Sequence, residues 1–186
     1  LHLIAPFLSG IVCVTPTIFN YFNRLNKNTV IVANFPNYKK IIDSKKDLRN
    51  IVYIGSISRG RGIIEMIKAL DYVDSEVILH LCGEFSDDSI KSEVANLKGW
   101  EKVRYYGLIS PVEVDILLSK CSVGLALLHP YKSYQEAYPI KLFEYMNFSL
   151  AVIASDFKLW KSFIEEGPSG MVVNPLDIKN IADAIR

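Results

Sequence analysis

The sequence predicts an α/β fold built on an open, doubly wound parallel sheet of the Rossmann-like type, extending from about residue 35 to the end. Two observations support this fold class. Short runs of β-branched residues alternate with stretches in which apolar residues recur at helical spacing. In addition, the strand runs VILHLC and VGLALL are almost continuously apolar. Such strands are expected in a parallel sheet that is covered by helices on both faces.

The first 50 residues contain a strand–helix–strand pattern followed by a polar segment. We predict strands at residues 11–15 and 29–33 and a helix at residues 17–25. Residues 34–50 are polar and lysine-rich and include Pro36, so we predict a linker or loop there.

A regular alternation of strands and helices begins at residue 51. The predicted strands are residues 51–55, 76–82, 102–106, 122–128, 150–154 and 171–173. The predicted helices are residues 62–70, 87–97, 111–120, 139–147, 157–165 and 178–185. Pro111 suits the first turn of its helix, and Ser110 can cap that helix. The stretch from residue 129 to residue 138 is predicted to be an irregular loop.

The composition argues against several classes of protein. The net charge is +1, which provides no global field to attract nucleic acid. No apolar stretch reaches the roughly 18–20 residues that a membrane-spanning helix needs. The three cysteines, Cys13, Cys82 and Cys121, lie in or beside apolar runs and form no CxxC pair. We therefore predict buried thiols in a reducing compartment, with neither a disulfide framework nor a zinc site.

The loop after the strand at residues 51–55 is a candidate phosphate site. In open α/β sheets, ligands bind beyond the carboxyl ends of the strands. The loop GSISRGRG holds three glycines and two arginines ahead of a helix. Glycine permits close backbone approach, and arginine offers donors suited to phosphate oxygens. Tight strand-to-helix packing is the alternative explanation, and the spacing is not the GxGxxG of dinucleotide-binding folds.

Two glutamates form the second candidate feature. Glu136 and Glu144 are separated by seven residues in EAYPIKLFE, with Glu136 in the predicted loop and Glu144 in the following helix. Glu144 has apolar neighbours along the sequence, and a carboxylate in apolar surroundings needs a partner. The vicinal hydroxyls of a ribose would provide one. An ion pair with Lys141 or Arg61 is the structural alternative.

These stretches resemble a known family. EAYPIKLFEYMNFSLAVIAS is similar to the E-x7-E segment of the family 4 retaining glycosyltransferases, which have the two-domain GT-B fold. The other similar stretches are IVYIGSISRGRGIIEMIKAL, VRYYGLISPVEVDILLSKCSVGLALL and EEGPSGMVVNPLDIKNIADAI. Together they span about residues 50–186 in the order that the family shows.

The resemblance implies a division into two parts and an activity. Residues 1–37 would be the end of an N-terminal domain and the crossover strand, and residues 38–186 would be the nucleotide-sugar donor-binding domain. Both ends of the sequence interrupt regular patterns, so we expect a fragment that is inactive alone. The complete enzyme would transfer a sugar from a nucleotide sugar to a glycan or lipid-linked acceptor, and it would not bind nucleic acid.

The resemblance also implies roles for individual residues. The implied donor-binding residues are Ser56, Arg59, Arg61, Tyr105, Lys141 and Glu144. Arg61, with Arg59, would neutralise the diphosphate, and Glu144 would hold the ribose hydroxyls. Glu136 would be the catalytic residue that contacts the sugar. The base would lie against the backbone near Tyr105, and neither a metal nor a cofactor would be required.

Some positions depart from the family pattern. The family often has arginine at the position of Ser56 and lysine at that of Arg61. Its glycine-rich turn after the first glutamate is replaced by Ala137-Tyr138-Pro139, and proline has no N–H to donate to a sugar. These departures leave the identity of the donor open.

Two other functions are compatible with the sequence. One is a nucleotide-sugar epimerase of the same fold, although the E-x7-E spacing favours sugar transfer. The other is a non-catalytic α/β module, which the departures at Ser56 and Pro139 favour. For the transferase we expect a cytoplasmic protein, or one peripheral at the inner face of the membrane through the missing domain.

Overall fold

A computed structural model describes residues 2–38, 45–167 and 169–186. The strands are β1 (Ile11–Cys13), β2 (Thr29–Ile31), β3 (Asp47–Ile54), β4 (Ile78–Cys82), β5 (Val103–Gly107), β6 (Cys121–Ala126), β7 (Ala151–Ser155) and β8 (Gly170–Val173). Within the described residues, six parallel strands form the main sheet in the order β5-β4-β3-β6-β7-β8. The predicted open parallel α/β sheet is therefore confirmed.

The helices connect successive strands. They are α1 (Pro16–Phe22), α2 (Ile63–Ala69), α3 (Asp88–Ala95), α4 (Pro111–Lys120), α5 (Lys132–Gln135), α6 (Ile140–Asn147), α7 (Lys158–Glu165) and α8 (Ile178–Ile185). Short 3₁₀ turns lie at Ala5–Phe7, Arg59–Arg61, Leu70–Tyr72 and Lys98–Lys102. The bounds of α4 and α8 agree with the prediction. The start of α4 is fixed by a capping box. The Ser110 Oγ accepts from the Glu113 N–H at 3.3 Å, and the Glu113 carboxylate accepts from the Ser110 N–H at 2.8 Å.

The core consists of two apolar layers, one on each face of the main sheet. One layer contains buried residues of α2, α3 and α8, including Ile67, Val94 and Ile181. The other contains buried residues of α4, α6 and α7, including Leu142 and Trp160. Because helices cover both faces, the strands between them can be apolar along their whole length.

The strand order reverses beside β3. This strand pairs with β4 on one side and with β6 on the other, and all three run in the same direction. The chain therefore leaves the carboxyl ends of β3 and β6 toward opposite halves of the sheet, which opens a crevice between the two strands.

Part of the predicted loop at residues 34–50 is a strand, so that prediction is wrong for residues 47–50. Strand β3 begins at Asp47, which pairs with Cys121 of β6. The Ser122 hydroxyl donates to the carbonyls of Leu48 and Asn50, at 3.1 and 3.2 Å. None of residues 47–50 is buried, and Leu48 is 83% exposed, so this part of the strand lacks an apolar pattern. Residues 39–44 of that loop lie outside the described residues.

A short helix interrupts the second predicted loop. Helix α5 spans four residues within the stretch from residue 129 to residue 138. Four residues make one helical turn, which is too short for a periodic apolar pattern to reveal.

Strands β1 and β2 form a separate two-stranded parallel sheet, joined through α1. Leu3, Phe7 and Val12 in this part of the chain are 84%, 87% and 67% exposed. The carbonyl of Asn37 accepts from the side-chain amide of Asn147 at 3.0 Å, which connects this part to α6.

The cysteines are buried, as predicted, and their thiols are free. Burial raises the pKa of the Cys82 thiol to about 11 and that of the Cys121 thiol to about 12. Both therefore stay protonated and behave as small apolar side chains. Among the residues described, no helix has the length and apolar character that crossing a membrane requires.

Candidate functional site

The loops that follow β3 and β6 pack against each other at the point where the strand order reverses. The His129 N–H donates to the Gly60 carbonyl at 2.9 Å. Gly62 has φ +68°, and a Cβ at this position would overlap the Leu127 carbonyl. A Cβ at Gly60 would lie 2.7 Å from the Tyr131 ring. Two glycines of the predicted phosphate loop thus serve tight packing, which was the alternative explanation for them.

A cavity of about 470 Å³ opens between these loops and helix α6, and we call it the switch-point cavity. Its charged lining residues are Arg61, Lys141 and Glu144. Its aromatic lining residues are Tyr53, Tyr134, Tyr138 and Trp160. The fold therefore brings together three of the residues that the resemblance assigned to the donor, from positions up to 83 residues apart.

The Lys141 amine is enclosed at the floor of the switch-point cavity. Its Nζ donates to the carbonyl of Ile54 and lies 4.2 Å from the centroid of the Tyr53 ring. A Cβ at Gly55 would overlap this amine, so glycine is needed there for its close approach. Burial, reinforced by repulsion from Arg61, lowers the pKa of Lys141 to about 7, and the attraction of Glu144 opposes that shift.

Glu144 is exposed to solvent, so the prediction of apolar surroundings is wrong. Its sequence neighbours Leu142 and Tyr145 are 0% and 1% exposed and face the sheet. Glu144 lies on the opposite side of α6, where it lines the switch-point cavity. It forms no ion pair with either Arg61 or Lys141, although those two side chains line the same cavity.

Glu136 lines a different cavity. This crossover cavity, of about 390 Å³, lies between the loop that carries Glu136 and the first part of the chain, which contributes Thr15, Ile18 and Asn34. The Glu136 carboxylate is 4.0 Å from the Lys132 Nζ, and its side chain is 41% exposed. Residues 137, 138 and 140 line both cavities, so the two glutamates lie on either side of a shared wall.

Arg59 is held outside the switch-point cavity. Its guanidinium forms two hydrogen bonds with the Glu93 carboxylate on α3, one of them at 3.2 Å between Nη1 and Oε1. This ion pair raises the pKa of Arg59 above its ordinary value. Arg59 is also absent from the cavity lining, whereas Arg61, two residues later, is part of it.

A third cavity, of about 360 Å³, lies beyond the ends of β3, β4 and β5, and we call it the β5-side cavity. Ser56, Gly83 and Gly107 line it, together with the apolar side chains of Leu108 and Ile109. It shares Ile54 and Gly55 with the switch-point cavity, so the two cavities are contiguous across the end of β3.

Tyr105 supports the β5-side cavity from behind and does not line it. Its hydroxyl donates to the Gly83 carbonyl at 3.1 Å, and its ring packs 5.2 Å from that of Phe85. Gly83 has φ +134°, and a Cβ there would overlap the Gly55 carbonyl. Tyr105 therefore positions the turn that forms the cavity wall.

Tyr145, which was not predicted as a site residue, anchors α6 at the site. Its hydroxyl accepts from the Ile54 N–H at 3.1 Å and donates to the Leu125 carbonyl at 3.3 Å. Its ring covers Gly124 so closely that a Cβ at Gly124 would overlap it. A glycine inside an otherwise apolar strand was the available signal, because it marks close approach of another group.

Within residues 2–38, 45–167 and 169–186, no group of three or more His, Cys, Asp and Glu residues is arranged to hold a metal ion. Two histidines instead pack against neighbouring groups. The His129 Nε2 lies 3.2 Å from the Glu65 carboxylate, and the His80 Nδ1 lies 2.8 Å from the Tyr106 hydroxyl.

Comparison with known proteins identifies a family. A family model described as glycosyl transferases group 1 matches residues 34–186. No curated protein sequence matches the chain. Several solved structures share its fold at low sequence identity.

Three of these structures illustrate the likeness. TarM of S. aureus has a TM-score of 0.77 and 20% identity. The match covers 98% of this chain and 36% of the TarM chain. HepE of Anabaena, solved in complex with UDP, has a TM-score of 0.76 and 16% identity. The match covers 98% of this chain and 54% of the HepE chain. WaaG, a glycosyltransferase involved in lipopolysaccharide biosynthesis, has a TM-score of 0.70 and 16% identity. The match covers 94% of this chain and 52% of the WaaG chain. The chain thus spans about a third to a half of the length of these structures.

Proposed function

The chain belongs to the glycosyl transferases group 1 family, and on that basis we propose that residues 38–186 form the nucleotide-sugar-binding domain of a retaining glycosyltransferase. One observation carries this proposal: Arg61, Lys141 and Glu144 line a single cavity where the strand order reverses. Crevices of this kind, beyond the carboxyl ends of parallel strands, are the usual ligand sites of open α/β sheets. The structures of HepE with UDP and with UDP-glucose add support, because their fold is similar.

In this proposal, Arg61 and Lys141 bind the diphosphate. Both lie on the switch-point cavity, and both carry donors suited to phosphate oxygens. Negative charge develops on the diphosphate as the sugar leaves, and fixed donors that stabilise that charge accelerate transfer. Arg59 contributes indirectly, because its ion pair with Glu93 fixes the turn that presents Arg61.

The nucleoside occupies the space on either side of Gly55. Glu144 accepts hydrogen bonds from the two ribose hydroxyls, and its exposed side chain can reach them without being buried first. The base enters the β5-side cavity, where the backbone of residues 107–109 offers polar groups beside the apolar Leu108. Ser56, next to the shared wall at Gly55, faces the same cavity.

Glu136 contacts the transferred sugar from the crossover cavity. Residues 137, 138 and 140 line both cavities and would lie beside the bond that joins the sugar to the diphosphate. A contact that strengthens as the sugar leaves lowers the barrier to transfer. The departing phosphate accepts the proton of the acceptor hydroxyl, and the sugar keeps its anomeric configuration.

The acceptor is a glycan or a lipid-linked glycan, and a further N-terminal domain supplies its site. Residues 1–37 are the end of that domain, and the exposed apolar side chains within residues 2–37 support this assignment. We therefore propose that the 186-residue chain binds the donor but does not transfer sugar alone. Its buried free thiols suit a cytoplasmic protein, or one peripheral at the inner face of the membrane through the further domain.

A panel of nucleotide sugars tests the proposal. UDP-, GDP-, ADP- and dTDP-sugars are added to the 186-residue chain at millimolar concentration, and binding is followed by ligand-observed NMR. We expect one base to be preferred, with weak affinity and with no change when a chelator is added. Binding of none of them to folded protein would contradict the proposed function, and the non-catalytic module would then be favoured.

A further inference from the structure

Lys141 carries an amine in surroundings that suit an uncharged group. Its side chain is half-buried, and its Nζ is turned inward onto the Ile54 carbonyl and the Tyr53 ring. Within the described residues, no carboxylate lies within ion-pair distance of it. An enclosed ammonium without an ion partner is costly, so this geometry favours loss of the proton.

The charged and titratable groups around Lys141 come from four elements. Arg61 faces it from the 3₁₀ turn before α2 and repels a second positive charge. Among the residues that the structure describes, Glu144, on α6 itself, is the one group with an opposing effect. The phenols of Tyr53 on β3 and Tyr145 on α6 are neutral, because burial raises the pKa of both. Tyr134 of α5 and Tyr138, in the turn before α6, line the same cavity.

A bound diphosphate would reverse this balance. It would place two negative charges in the cavity that Lys141 and Arg61 line, so that each cation gains an anionic partner. An opposite charge within a few ångströms favours the ionised form of an amine. The same amine would then be ammonium when the site is filled and largely neutral when it is empty at mildly alkaline pH.

We propose that Lys141 takes up one proton from solvent when the diphosphate of the donor enters the switch-point cavity, so that donor binding is linked to pH. This inference rests on the proposed function. In the step itself, the neutral amine becomes ammonium and no other bond changes. Below the pKa of the empty site, about 7, the proton is already in place and binding takes up none. Above it, affinity falls as pH rises, until the pKa of the filled site is passed.

Calorimetry with UDP-glucose tests the proposal. Both phosphates of this donor are esterified, so the ligand itself does not titrate near neutral pH. Binding to the 186-residue chain is measured at pH 8 in two buffers with different ionisation enthalpies, which gives the number of protons taken up. We expect close to one proton, and we expect affinity to fall about tenfold or more between pH 7 and pH 9. Binding without proton uptake would overturn this proposal and leave the proposed function intact.

Variants and a direct titration complete the test. Lys141→Met is expected to bind more weakly and take up no proton, whereas Lys161→Met, which alters an exposed lysine on α7, should match the unaltered chain. If Lys141→Met does not fold, NMR titration of the Lys141 amine in the ligand-free chain decides the matter. A transition near pH 7 supports the proposal, and one near the ordinary value of 10.5 overturns it. Failure of folded protein to bind any donor would overturn the proposed function, and this inference with it.

Discussion

The Tyr145 hydroxyl accepts the backbone N–H of Ile54 at 3.1 Å, which joins helix α6 to the last residue of β3. The same hydroxyl donates to the Leu125 carbonyl of β6 at 3.3 Å. One side chain thus connects the helix that carries Lys141 and Glu144 to both strands at the reversal of strand order. The position of the candidate site depends on this connection, which is fully buried.

Removing this hydroxyl should destabilise the fold. Tyr145→Phe removes the buried hydrogen bonds to the Ile54 N–H and the Leu125 carbonyl, and the loss of a buried hydrogen-bond partner costs about 1–3 kcal/mol. We expect a loss of that size in the free energy of unfolding, measured by urea denaturation. Tyr72→Phe is the control, because Tyr72 is 49% exposed and its substitution should change little. Equal effects of the two changes would contradict the anchoring role of Tyr145.

Two glycines provide a matched test of close packing. A Cβ at Gly124 would overlap the Tyr145 ring, whereas one at Gly167 would meet nothing within 4 Å. Gly124→Ala should therefore lower the free energy of unfolding by about 1–3 kcal/mol, as overpacking of a core does. Gly167→Ala should leave it nearly unchanged. Equal stability of the two variants would contradict the close packing of the Tyr145 ring on Gly124.

The enclosed amine of Lys141 should also affect folding stability. Its pKa is lowered to about 7 in the folded chain, so between pH 7 and about 10 the unfolded chain binds more protons. The contribution of Lys141 to stability should therefore rise with pH through this range. Lys141→Met removes that dependence, so its stability relative to the unaltered chain should decrease by roughly 2 kcal/mol from pH 6 to pH 9. Urea denaturation at the two pH values measures the change, and an equal difference at both would argue against an enclosed, neutral amine.

The two glutamates should separate nucleotide binding from sugar transfer. Glu144 lines the switch-point cavity and Glu136 the crossover cavity. Glu144→Gln removes the negative charge that accepts the hydrogen bonds of the ribose hydroxyls. Hydrogen bonds to a charged group contribute roughly 1.5–3 kcal/mol, so UDP should bind about tenfold or more weaker. Glu136→Gln should leave UDP binding almost unchanged and lower turnover in an enzyme that includes the further domain. Equal loss of UDP affinity in both variants would mean that the roles are misassigned.

The sequence was most informative about regular elements in the core. Continuous apolar runs predicted β4 and β6, because a strand buried on both faces must be apolar along its length. Helix α4 was predicted within its observed bounds, because Ser110 and Pro111 are local signals that need no tertiary contact. The polar start of β3 was missed, since its pairing with β6 depends on residues about 74 positions away.

The environment of the site residues was harder to predict. Neighbours along the sequence suggested that Glu144 is enclosed, but successive residues of a helix face different directions, and Glu144 points outward. Arg59 and Arg61 lie two positions apart in one predicted phosphate loop, and the sequence did not indicate that Glu93 on α3 would pair with Arg59. The enclosure of Lys141 likewise depends on Gly55, Tyr53 and Ile54, which meet it only in the folded chain.

The assignment of the switch-point cavity to the nucleotide sugar is tested by an NMR titration of the isotope-labelled 186-residue chain with UDP-glucose. Backbone amide shifts are followed residue by residue. We expect the largest shifts at Gly55, Arg61, Lys141 and Glu144, with smaller shifts along residues 107–109, because these positions line the two contiguous cavities. Arg61→Met should abolish the shifts around the switch-point cavity at the same ligand concentration. Saturable shifts confined to other surfaces, or unchanged binding by the Arg61→Met variant, would contradict the assignment of this cavity to the nucleotide sugar.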